Sequence, residues 1–69
     1  MQTRQYDLAI ARLEQFLVLD RTSTDGHYWL GVAYEGKGEM EKATSEYHEA
    51  LKFNPRHREA LQALARLGR

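Results

Sequence analysis

Displaced by 34 positions, this chain lies on itself. Tyr6 falls on Met40, Ala9 on Ala43, Leu13 on Tyr47, Leu17 on Leu51 and Leu19 on Phe53, while Asp20-Arg21 falls on Asn54-Pro55. Farther along, Gly26 falls on Ala60, Leu30 on Leu64 and Gly31 on Ala65. Small residues meet small ones, and apolar residues meet apolar ones. A period of this size denotes a supersecondary unit stacked on its own copies, and it constrains the fold before any element is assigned.

The unit is helical. Apolar residues recur at helical spacing, β-branched residues are few, and Pro55 is the one proline. The first helix is expected over Gln5–Leu19, with a stripe of Tyr6, Ala9, Ile10, Leu13, Phe16 and Leu17. "DRTSTD" then offers several side chains able to cap a helix start. The second helix is expected over Asp25–Glu35 with Leu30, Ala33 and Tyr34 inward, ended by left-handed conformations at Gly36-Lys37-Gly38. A third follows over Met40–Phe53, with Met40, Ala43, Tyr47, Ala50 and Leu51 on one face; Asn54-Pro55 stops it. The fourth runs from His57 to Leu67, with Ala60, Leu61, Leu64 and Leu67 inward. Short connections make neighbours antiparallel, and the fold class is all-α, stacked antiparallel helix pairs.

With 69 residues the chain is one domain or a piece of one. At that size about 60% of the unfolded surface is buried, too little for a deep catalytic cavity and its supporting shell. Ten basic residues balance ten acidic ones, so no net field draws the chain to nucleic acid or an anionic membrane. The turn between antiparallel helices also differs from the splayed pair of a helix-turn-helix. There is no cysteine, which removes disulfides and cysteine–zinc sites. No apolar run approaches a membrane span, and the first residues lack the apolar core of an export signal, which favours a cytoplasmic setting. His27, His48 and His57 form no zinc pattern and are expected to be surface residues without a special role. No nucleophile elbow or phosphate loop occurs, so neither enzyme activity nor a cofactor is expected.

Leu30-Gly31-x-x-Tyr34, Gly38, Ala43, Tyr47, Ala50 and Pro55 stand at the spacing of the tetratricopeptide repeat, and the chain resembles that family over essentially its whole length. The resemblance implies one complete repeat at 24–57, the second helix of a partial repeat at 1–23, and the first helix of a following repeat or a capping helix at 58–69. It departs from the family pattern at three places. His27 stands where the family has tryptophan, with Trp29 two residues later; Phe16 stands for a small residue, and Arg21 for a proline. Stacking explains the small residues, since helix axes approach closely only where side chains are short. Gly31 and Ala43 are expected at the crossing within the repeat, and Ala50 at the crossing with the next helix.

The resemblance implies a protein-interaction module, with a peptide or partner helix lying in a concave groove lined by the first helix of each repeat. On the second helix the face away from Leu30 and Tyr34 carries Asp25, Tyr28, Trp29, Val32 and Glu35. The matching face of the last helix holds Glu59, Gln62, Arg66 and Arg69. Tyr28, Trp29 and Val32 make an aromatic-apolar contact surface, Trp29 having packing on a neighbouring helix as its equal alternative, and Arg66 is available to an acidic ligand. The asparagine that a carboxylate clamp would use is missing, so the groove is expected to be apolar or mixed. The alternative is a structural one. Leu8, Ile10, Phe16, Val18 and Leu19 exceed one stripe, and a dimer or helix exchange through the N-terminal end would cover the surplus.

Overall fold

The structure, a computed structural model, describes residues 3–68. Arg69, a candidate for the groove, lies outside the described residues. Four helices follow one another: α1 (Thr3–Leu19), α2 (Thr24–Gly36), α3 (Met40–Phe53) and α4 (Arg58–Leu67). The expected ends of the second and fourth helices differ from these by one residue, because the residues taken as openers act as caps or lie just inside them.

Several boundaries have a local cause. The Ser23 hydroxyl accepts from the Gly26 amide at 3.0 Å and opens α2. At its far end the Glu39 amide reaches back to the Tyr34 carbonyl and the Gly38 amide to that of Glu35, both at 2.9 Å. This double closure needs a left-handed residue, and Gly38 supplies it at φ 83°. Gly36 behaves otherwise than expected. It is helical, and a Cβ there would overlap the Tyr6 ring, so this glycine lets α1 approach rather than turning the chain. Asn54, extended before Pro55, ends α3, and its side chain accepts from the Arg56 amide at 3.1 Å. Gly68, left-handed at φ 74°, closes α4.

Packing follows chain order. The α2–α3 contact is the most extensive, followed by α1–α2 and α3–α4. Two apolar clusters result: Ala43, Tyr47, Ala50, Ala60, Ala63 and Leu64 between α3 and α4, and Ile10, Leu17, Leu30 and Ala33 between α1 and α2. Tyr34 packs against both and joins them. At the α2–α3 crossing a Cβ on Gly31 would lie 2.7 Å from the Tyr47 ring, so the missing side chain makes room for an aromatic one. Tyr47 is fully buried.

Three expected core positions are not core. Leu61 is 47% exposed and Ala63 takes the inward place on α4, because α4 packs chiefly on α3 and presents a narrow stripe. Phe16 and Met40 sit at the margins of their stripes and are exposed. The body measures 31 × 29 × 15 Å, a slab of helices rather than a ball.

Candidate functional site

Between α2 and α4 lie two open cavities, the first over the buried ring of Tyr47. One, of about 340 Å³, is lined by Tyr6, Tyr28, Val32, Glu35, Gly36, Tyr47 and Arg66. The other, of about 260 Å³, is lined by Asp25, Tyr28, Trp29, His57 and Glu59. Tyr28 separates them. Helical spacing puts Asp25, Tyr28, Val32 and Glu35 on one side of α2, and the Gly31–Tyr47 contact keeps that side turned towards α4.

Of the expected contact residues, Asp25, Tyr28, Trp29, Val32, Glu35 and Arg66 fall around these cavities, while Gln62 is exposed on α4 and lines neither. Trp29 is 54% exposed; its ring meets that of Tyr28 edge-on, with centroids 5.0 Å apart. Tyr28 also lies 5.8 Å from the Tyr47 ring and 5.1 Å from that of His57. Trp29 is therefore accessible to solvent beside the second cavity.

Arg66 does not stand free for a ligand. Its guanidinium bridges to Glu35, with Nη1 against Oε2 and Nη2 3.3 Å from Oε1. The Tyr47 hydroxyl donates to Glu35 Oε1 at 2.7 Å. Hydrogen bonding from Arg66, opposed by burial and aided by Tyr47, holds the Glu35 carboxyl below its ordinary range. Burial, then the bond to Glu35, pushes the Tyr47 hydroxyl up, so it stays a donor. The first cavity is thus neutral overall, with a bound pair at one wall.

The histidines are more than bystanders. His57 caps α4: its Nδ1 accepts from the Ala60 amide at 3.2 Å, which leaves Nε2–H to donate to Asp25 Oδ1 at 3.1 Å. His27 donates from Nδ1 to Glu46 Oε1 at 2.8 Å and from Nε2 to the Arg21 carbonyl at 3.0 Å, and its ring stacks on Phe53. Two acceptors require two N–H groups. Burial works against that charge, yet the bonds to Glu46 and Arg21 and the charges of Glu46 and Glu49 outweigh it and raise the His27 pKa. Standing where the repeat pattern has tryptophan, His27 ties α2 to α3 by polar bonds. His48 is exposed.

Sequence reasoning missed Tyr6, Gly36, Tyr47 and His57 as groove residues. A signal for His57 existed: it stands one residue beyond the Asn-Pro-Arg stop, at a cap position. Tyr6 left no such signal, because only the tilt of α1 over Gly36 brings it there.

A family profile described as tetratricopeptide repeat matches residues 24–57. Residues 24–57 are a tetratricopeptide repeat. Repeats of this family mediate protein–protein interaction in general, and the matched residues hold both helices of one repeat, α2 and α3. The chain is also similar to a Pseudomonas putida (strain KT2440) protein named probable biofilm formation methyltransferase WspC. The two are 36% identical over 59 residues, covering 86% of this chain and 14% of the relative's length. No solved structure matches. No helix among the described residues is long and apolar enough to cross a membrane.

Proposed function

We propose that the groove between α2 and α4 binds a peptide or helix of a protein partner, with Tyr28, Trp29 and Val32 as its main contact surface. The observation that carries this reading is the pair of open cavities on either side of Tyr28, next to a Trp29 ring that solvent reaches. Aromatic side chains with few rotatable bonds give large contact area at low entropic cost, which suits them to recognition. The ionisable groups along the groove support binding rather than catalysis. Glu35 is held by Arg66 and Tyr47, and His57 is spent on a helix cap and on Asp25. Because the matched stretch is a small part of the relative's length, we propose that a repeat of this kind serves as a recognition segment alongside another activity. Titration of isotope-labelled chain with peptides tests the groove: shifts gather at Tyr28, Trp29, Val32 and Arg66, and shifts confined to the outer faces of α1 and α3 sink the reading.

A second reading has its own observation. Val18 and Leu19 on α1 are exposed, whereas Lys52 at the position 34 residues after Val18 is polar. An apolar residue where the complete repeat has lysine fits association through α1, by a second copy or a further helix. Sedimentation over a concentration series decides it; a strict monomer at high concentration rules out association between copies.

A further inference from the structure

We propose that the cavity walled by Tyr28 and Trp29 receives a lysine or arginine side chain of the partner, a proposal that rests on the groove being the docking surface. The two cavities differ in charge. At the first, Glu35 and Arg66 cancel each other, and Tyr6, Tyr28 and Val32 suit an apolar side chain. At the second, the carboxylates of Asp25 and Glu59 stand at the rim, both well exposed. Among the described residues neither is within ion-pairing distance of a lysine or arginine; their neighbour is His57. That histidine accepts the Ala60 amide at Nδ1 and donates from Nε2 to Asp25, so among the described residues no lysine or arginine cancels either carboxylate.

The walls agree with the rim. The Trp29 indole, edge-on to Tyr28, presents ring surface to the opening, and the electron-rich face of an indole attracts a cation. A long aliphatic stem lies along such a wall while its charged head stays at the wet rim, the arrangement that lysine and arginine adopt on apolar surfaces. An anionic side chain meets repulsion from both carboxylates. The partner segment therefore presents an apolar residue to one side of Tyr28 and a basic residue to the other.

The test uses pools of capped heptapeptides, randomised over neutral residues except at the centre, which is lysine, norleucine or glutamate. Norleucine keeps the stem and removes the charge. The lysine pool is expected to bind about tenfold tighter than the norleucine pool, the product of one cation–π contact and exposed ion pairs. The glutamate pool is expected to bind weakest, the Trp29 indole N–H to shift most with lysine, and added salt to narrow the gap. The double variant Asp25→Asn with Glu59→Gln brings the lysine pool to the norleucine level. Both sites are exposed, and the amide that replaces the Asp25 carboxylate keeps an oxygen for His57, so the fold survives. Equal binding of lysine and norleucine pools, with shifts still along Tyr28 and Val32, overturns the cation site and leaves the groove standing. Shifts confined to the outer faces of α1 and α3, or none from any pool, overturn both.

Discussion

α1 and α3 align when the sequence is displaced by 34 residues, yet the two helices are covered very differently. α3 packs between α2 and α4, and Ala43, Tyr47 and Ala50 on it are sealed from solvent. α1 packs on α2; Ile10 and Leu17 retain some exposure, and Leu19 is 88% exposed. The lesson is that matched sequence positions set which face of a helix turns inward, while the number of neighbours sets how much that face contributes. Leu13 and Tyr47 align in the repeat, but only Tyr47 has helices on both sides and a hydroxyl that reaches the groove.

Substitutions at aligned positions break or sharpen that contrast. Tyr47→Ala should be the most damaging, costing about 3–5 kcal/mol. A chain of this length has only a few kcal/mol in hand at roughly 0.05–0.15 kcal/mol per residue, so circular dichroism should find the variant largely unfolded. Leu13→Ala, its counterpart on α1, should cost about 2 kcal/mol and leave α2 and α3 folded in a denaturant melt. Equal losses would erase the distinction between covered and open helices. Gly31→Ala comes next, at about 1–3 kcal/mol, because the new methyl meets a ring with no room to withdraw.

Gly36→Ala tests how α1 is attached. Its methyl would displace the Tyr6 ring, so the exchange should lower the melting temperature in the otherwise unaltered chain. In a Tyr6→Ala background the same exchange should raise stability by up to about 1 kcal/mol, since alanine is the better helix former. A double-mutant cycle showing no coupling would mean that Tyr6 does not depend on that glycine.

The fold was legible wherever local chemistry decides. Gly38, Pro55 and the capping run around Ser23 punctuate the chain, and Ala43 and Ala50 mark close helix crossings before any coordinate is known. What the letters hid depends on angles between helices. Nothing about Gly36 distinguishes it from Gly38 in the string, yet one admits an aromatic ring and the other turns the chain. Arg66 read as a free cation because its partner, Glu35, lies 31 residues away and meets it only across the groove.

Weaker effects refine the picture. His27 has a raised pKa in the folded chain, so its contribution is complete below the ordinary value of 6.5 and disappears as pH rises through the folded value. Glu35 has a lowered one, so its contribution is present above 4.5 and disappears as pH falls through the folded value. Melting temperature followed against pH should therefore be highest between these limits, and His27→Gln should flatten the decline on the alkaline side. Smallest of all, Leu19→Ser should change stability by no more than about 0.5 kcal/mol. A larger loss would show that α1 has a covering partner in solution.

Because the main packing joins each helix to the next in the chain, contacts close over short loops. Low average sequence separation lowers the entropic cost of the transition state, and helical chains of this kind fold in roughly microseconds to milliseconds. The same arrangement suits stepwise assembly during synthesis: α1 can dock as soon as α2 emerges, and the groove is complete only once α4 has been made.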